Sequence, residues 1–248
     1  MKTGVMVNTE IKQTSSVVRE FSRFAHQYDE YNMIQAQVAK QLVESLASNA
    51  YHSVIDIGCG SGAIFHNFKK QHISVEQFIA VDSAQTMLDR HPTETSIIKI
   101  CSNFNEDNFL GTTLKTKMDL CISASALQWS EDLDFTMKRM SELSNTFHAA
   151  IFTSGTFRTL HLTAGVFSPI YDIETIQKTV QMYFKSVKFK VHQYKLEFPD
   201  TREMFKYIKQ SGVSGGERQL SYTQMKQLML NYPLDYLEFE VLFVEGKM

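Results

Sequence analysis

The stretch Val54-Ile55-Asp56-Ile57-Gly58-Cys59-Gly60-Ser61-Gly62 constrains this chain more than any other. An apolar run of strand length ends in three glycines at alternate positions, and an amphipathic stretch carrying Ile64, Phe65 and Phe68 begins directly after it. That order spells strand, tight turn, helix. Glycine reaches positive φ without strain and lets a ligand lie against bare backbone, while the helix N-terminus behind the turn offers unpaired N–H donors. Such a turn is built to hold a ligand.

Two ligand classes compete for it. Gly58-x-Gly60-x-x-Ala63 satisfies the dinucleotide fingerprint, and Asp82, at the end of the apolar run 78–82, suits ribose hydroxyls. Asp56 inside the strand and Gly62, a third glycine that a nicotinamide site does not require, tip the balance. Asp56-x-Gly58-x-Gly60-x-Gly62 followed by Val81-Asp82-Ser83 resembles motifs I and II of the class I S-adenosylmethionine (SAM) methyltransferases. The resemblance implies SAM as cofactor, with Asp56, Gly58, Gly60 and Gly62 facing its methionine part and Asp82 its ribose. Ser83, Met87, Asn103, Phe104 and Ser123 complete the expected cofactor contacts; Asn103 suits the adenine amino group and Phe104 its ring. No metal is expected.

Hydrophobic periodicity supplies the surroundings. From about Ser16, Phe21, Phe24, Ala25 and Tyr28 recur at helical spacing, and a second stretch carries Ile34, Val38, Leu42 and Leu46 on one face. These helices, within 14–48, precede the first strand, where such elements can fold over a pocket as a lid. Phe21, Tyr28 and Tyr31 read equally as core or as site, and their ring faces would attract a sulfonium. Further strands are expected at 78–82, 96–100, 119–123, 148–153, 187–198 and 236–244. Ser83 is expected to cap the helix bearing Met87 and Leu88, Ser130-Glu131-Asp132 to open another, and Ser221-x-x-Gln224 the last.

Alternating strands and helices predict an α/β fold with a doubly wound, mostly parallel sheet. The methyltransferase resemblance implies seven strands in a Rossmann-like order, the last reversed. No repeat or Pro/Ser-rich linker divides the chain, so a single domain over 1–248 is expected, with a small helical cap inserted at about 200–232. A net charge of −2 with both signs interspersed marks no nucleic-acid surface. Three cysteines without a CxxC pair read as reduced thiols, and with no secretory signal or membrane-length apolar run the expected place is the cytoplasm.

The loop Ala124-Ser125-Ala126-Leu127-Gln128-Trp129 follows the strand at 119–123, and open α/β sheets keep their reacting groups outside such carboxyl ends. Trp129, the one tryptophan of the chain, either packs there or lines the pocket. Methyl transfer needs a positioned nucleophile, and a base only where the acceptor is protonated. No Asn/Asp-Pro-Pro-Tyr/Phe follows the strand, which disfavours nucleobase and glutamine amines, and Cys121, buried by pattern, is unsuited to attack pyrimidine carbon. An ionised carboxylate needs neither device, only a cationic or hydrogen-bonding clamp such as arginine.

Phe21-Ser22-Arg23-x-Ala25-x-x-Tyr28-Asp29, Gln35, the 56–62 turn, Ala126-Leu127-Gln128-Trp129, Ile208-Lys209-x-x-Gly212 and Val241-Leu242-Phe243, in this order, resemble the malonyl-[acyl-carrier protein] O-methyltransferases of biotin synthesis. A similar Leu-Gln-Trp stretch occurs in trans-aconitate methyltransferases. The resemblance implies methylation of the free carboxylate of a malonyl thioester, carried by acyl-carrier protein or coenzyme A, at the start of pimelate assembly. Tyr28, Gln128 and Trp129 would position the substrate, with no dedicated base. Asn103 stands where relatives usually carry an acid, and the segments after Arg158 and Gly212 are shorter than in many relatives. The carboxylate clamp therefore stays open among Arg23, Arg158, Arg202 and Arg218, with Arg23 and Arg158 foremost. Lys188, Lys190, Arg202, Lys206 and Lys209 form either a basic strip for an acidic carrier protein or a solvated face. A carboxyl methylase of a free small acid and a SAM-binding protein without catalysis are the competing readings.

Overall fold

A computed structural model describes residues 32–110, 116–210 and 221–248, without the side chains of Lys209, Gln210 and Tyr222. The expectations for Phe21, Arg23, Phe24, Tyr28, Tyr31, Gly212 and Arg218 lie outside the described residues. Helix α1 (Met33–Glu44) turns Ile34, Val38, Ala39, Leu42 and Val43 inward, the stripe of an amphipathic helix. It leads into β1 (Ala50–Ile57), whose last five residues are all buried, as befits a strand covered on both faces. There follow α2 (Ala63–Lys70), β2 (Ser74–Asp82), α3 (Gln85–Arg90), β3 (Ile97–Cys101), β4 (Leu120–Ala124) and a single 3-10 turn (Leu127–Trp129). The remainder is α4 (Leu133–Leu143), β5 (Thr146–Phe152), α5 (Arg158–Ala164), α6 (Ile173–Tyr183), β6 (Ser186–Glu197), α7 (Thr201–Gln210), α8 (Tyr222–Asn231) and β7 (Tyr236–Lys247).

The strands form one seven-stranded sheet in the order β3-β2-β1-β4-β5-β7-β6. β1 runs parallel to both β2 and β4, whereas β7 lies antiparallel between β5 and β6. The sheet is thus mostly parallel with its last strand reversed, as the motifs led one to expect. Chain order turns back between β1 and β4, which opens a crevice at their carboxyl ends. That crevice is where the glycine turn and the 124–130 loop meet.

Two apolar layers cover the sheet. One gathers α1, α2 and the sheet side chains Val54, Phe78 and Ile122, and continues to Met204, Tyr207, Leu228 and Tyr232 of the segment between β6 and β7. The other packs Met137 and Met140 of α4 and Ile176 and Val180 of α6 on Ile55, Ile57, Cys121 and Ile151. Edge strand β6 is covered on different faces in its two halves: Val187 and Phe189 meet the α6 layer, while Tyr194 and Leu196 meet the layer of α7 and α8. His192, grouped by alternation with the exposed Lys188 and Lys190, is half-buried, its ring 4.9 Å from that of Phe243.

Two helix starts differ from expectation. Ser83 does not cap α3; the N-cap is Ala84, and the carboxylate of Asp82 accepts the Ala84 amide at 2.8 Å, a charged acceptor outcompeting a hydroxyl one residue away. α4 is capped by Asp132, which accepts from the Phe135 amide at 3.0 Å, while the Ser130 hydroxyl pairs with Thr136 inside the protein. The Ser221–Gln224 capping box is formed. No helix among the described residues is long and apolar enough to cross a membrane.

Candidate active site

The turn after β1 holds Gly58, Gly60 and Gly62 at φ of 71°, 54° and 96°, conformations that side chains resist. Space is as tight as conformation. A Cβ on Gly58 would stand 2.2 Å from the Cβ of Ala126, and one on Gly62 would stand 2.7 Å from Pro92. The first glycine therefore lets the turn press against the loop after β4.

Hydrogen bonds pin the turn to the end of β2. The Gly58 and Cys59 amides both donate to the Val81 carbonyl, at 2.8 and 2.9 Å, and the Gly60 amide donates to Asp82 Oδ2 at 2.9 Å. Burial pushes the Asp82 carboxyl above its ordinary range, against the pull of these amides. Each Asp82 oxygen keeps a second lone pair for a ribose hydroxyl. Met87, buried, reaches the other side of Gly60, its methyl 3.4 Å from where a Cβ would be.

Asp56 sits beneath the turn with none of its surface exposed and with neither carboxylate oxygen hydrogen-bonded. Burial first, and the charge of Asp82 second, hold its carboxyl well above the ordinary range. A buried carboxylate without partners is costly, so it calls for a cationic or donor-rich ligand. A cleft opens over it, lined among the described residues by Asn32 at the start of α1, Gln35 and Ala36 of α1, the turn, Ala124 and Ser125. Gln35 Oε1 and Ser125 Oγ are likewise buried and unpartnered.

The 124–130 loop is held from several sides. Ser125 adopts φ 61°, rare for a residue with a side chain, and its amide donates to the Ala150 carbonyl at 2.9 Å. Gln128, buried, donates through Nε2 to the Ser125 carbonyl at 2.7 Å, and its Oε1 has no partner. The indole Nε1 of Trp129 is also buried without a partner. Asn105 fixes the ring's backbone, donating to the Trp129 carbonyl and accepting from the Glu131 amide, each at 3.0 Å.

The other expected contacts divide. Asn103 stands in the loop after β3, where its Oδ1 already accepts from the Asn105 amide at 3.1 Å, and Phe104 packs partly buried on the α4 layer. The Ser123 hydroxyl is taken by the Ile57 carbonyl at 2.7 Å, so it ties β4 to β1 rather than facing a ligand. Ser83 is half-buried beside Asp82, and Arg158 is exposed at the first position of α5, outside the cleft lining. Sequence reasoning gave Gln35 no role and did not single out Ser125 or Asn105. For Gln35 a signal existed: with Ala39 and Leu42 it follows the 4,3 spacing that edges the apolar stripe of α1.

Residues 55–144, from β1 through α4, match the methyltransferase domain family. The chain is a SAM-dependent methyltransferase. The malonyl-[acyl-carrier protein] O-methyltransferase of Priestia megaterium is 25% identical to this methyltransferase over 83% of each chain. The YcgJ protein of Bacillus subtilis shares the fold at a TM-score of 0.60 and 13% identity, over 85% of this chain and 98% of its own. Phosphoethanolamine N-methyltransferase 2 of Haemonchus contortus, solved with S-adenosylhomocysteine, does so at 0.56 and 14%, over 94% of this chain and 59% of its own.

The residues of the methyltransferase fit SAM. Asp56 presents two unpartnered acceptors to a cleft where a cationic amino group would meet them. The glycine turn leaves bare backbone, and Asp82 is placed at the end of the neighbouring strand.

Proposed function

We propose that this methyltransferase methylates a carboxylate oxygen, and that its acceptor is the free carboxylate of a malonyl thioester borne by acyl-carrier protein. The observation that carries this reading is the chemistry of the acceptor loop. From Ser123 to Ser130 it contains no acid, base or thiol, yet it buries an indole N–H, that of Trp129, without a partner. A lone donor in a water-poor wall suits an anionic oxygen. Bound SAM supplies a methyl carbon activated by its sulfonium, and an ionised carboxylate takes it without a base. Gln128, anchored through Ser125, holds the loop in place, and Trp129 orients the carboxylate.

The name of the Priestia megaterium relative supports the same acceptor. α7 and α8, between β6 and β7, act as a cap on one domain, and a carrier-borne arm enters beneath them. Lys190 and Arg202 are exposed, and Lys188 and Lys206 make only surface ion pairs with Glu245 and Glu203. Such pairs contribute little on their own and leave the lysines available to an acidic carrier.

The test is radiolabelled SAM offered with malonyl-carrier protein, malonyl-coenzyme A and trans-aconitate in parallel. Label in a malonyl thioester is expected, highest on the carrier protein. Label in the aconitate alone overturns the assignment, and SAM binding with label in none of them would favour a non-catalytic role.

A further inference from the structure

The strand order divides the cofactor cleft in two. Asp82 and the 101–105 loop stand over β2 and β3, on one side of β1, while α1 and Ser125 stand over β4, on the other. If Asp82 takes the ribose, the amino-acid tail of SAM lies on the α1 side. That half of the cleft has an unusual polar lining: Gln35 Oε1, both carboxylate oxygens of Asp56 and the Ser125 hydroxyl are buried and unpartnered. With Asp56 ionised, three of the four atoms can only accept hydrogen bonds, and the fourth can accept as well as donate. Unpartnered buried acceptors are rare in folded proteins, and several on one cleft wall require a ligand rich in N–H donors. The tail of SAM carries one such group, its α-ammonium, with three.

We propose that Gln35 is a cofactor-binding residue whose amide oxygen, together with Asp56, receives the α-ammonium of SAM. The inference rests on the SAM reading of the site and adds a contact from outside the 55–144 family match. A carboxylate alone answers one positive charge but, even with both oxygens engaged, leaves one of three N–H bonds to another partner. Gln35 supplies a neutral acceptor that adds no repulsion to Asp56. Its position on α1 also couples the helix to the cofactor, because the same helix buries Ile34, Val38 and Leu42 in the core.

Isothermal titration of the full chain separates the possibilities with three ligands: S-adenosylhomocysteine, its analogue lacking only the α-amino group, and methylthioadenosine, which has no amino-acid tail. Gln35→Leu should weaken S-adenosylhomocysteine about tenfold, leave methylthioadenosine within twofold, and add nothing to the weaker binding of the deaminated analogue. Gln35→Glu, which keeps an acceptor, should bind S-adenosylhomocysteine at least as tightly as the natural chain. Unchanged S-adenosylhomocysteine binding by Gln35→Leu, or an equal loss for all three ligands, overturns the proposal. Should Gln35→Leu not fold, Gln35→Glu decides alone: a carboxylate beside the ammonium must raise the preference for S-adenosylhomocysteine over the deaminated analogue above that of the natural chain, and an unchanged preference overturns the proposal. Failure of the natural chain to bind any of the three would instead remove the SAM reading itself.

Discussion

Asp82 and Gly60 are joined by a 2.9 Å hydrogen bond in which the glycine amide donates to the carboxylate, so the acid that ends β2 also holds the turn that follows β1. Its second oxygen accepts from Ala84 at 2.8 Å. Asp82→Ala should therefore do two things at once. Affinity for S-adenosylhomocysteine should fall by roughly 1.5–3 kcal/mol, the usual loss for a charged hydrogen bond, and the ligand-free protein should lose about 1–3 kcal/mol because two amides are left without an acceptor. Titration calorimetry and urea unfolding check the two separately; an unaltered titration would mean that the end of β2 is misread.

Asp56 offers a pH test. In the unfolded chain it titrates in the ordinary carboxylate range, whereas in the folded protein burial and the Asp82 charge hold it well above. A carboxyl raised in the native state contributes stability that is full below the ordinary range and is lost as pH rises through the folded value. Relative to Asp56→Asn, the natural ligand-free protein should lose up to about 1.4 kcal/mol per pH unit across that window. S-adenosylhomocysteine affinity should rise over the same window, since a neighbouring ammonium favours the ionised acid. Melting curves against pH, with and without the ligand, read both slopes, and a constant gap between natural chain and variant contradicts the argument.

Gly58→Ala meets two obstacles, a φ of 71° and a Cβ placed 2.2 Å from that of Ala126. The loss should exceed about 2 kcal/mol, of which the left-handed conformation accounts for roughly 1–2 kcal/mol. Pairing it with Ala126→Gly removes the collision and leaves the conformational cost, so chemical denaturation should show partial recovery. Full recovery, or none, would place the strain elsewhere.

Trp129→Phe removes the unpartnered indole N–H while keeping an aromatic ring. Loss of one hydrogen bond to a charged oxygen corresponds to about 1.5–3 kcal/mol, so kcat/KM for the methyl acceptor should drop ten- to a hundredfold while S-adenosylhomocysteine binding stays within twofold. Equal weakening of both would show that the ring supports the cofactor instead.

The parts legible in the chain are those carried by local chemistry. Gly58, Gly60 and Gly62 announce their turn because few other residues reach those φ values, and the strands declare themselves by apolar runs, as in β1 and β2, or by alternation, as in β6. The cap of α8 is visible for the same reason: Ser221 and Gln224 satisfy each other three residues apart. Where a side chain chooses among partners distant in sequence, local reading misses. Ser123 stands 66 residues from the Ile57 carbonyl it bonds, and Ser83 yields α3 to an Asp82 carboxylate whose other oxygen answers Gly60.

By itself, then, the amino-acid order determined the α/β architecture, the ligand-holding turn and the acid at the end of β2, since each follows from backbone preference and hydrophobic period within a short stretch. Tertiary structure alone decided which polar atoms remain without partners: Asp56, Gln35 and Ser125 come to line one cleft from separate elements, and the indole N–H of Trp129 is buried in the loop beyond them. Partnership is a property of distance in space, and only the assembled sheet with α1 packed against it brings those side chains to one cleft.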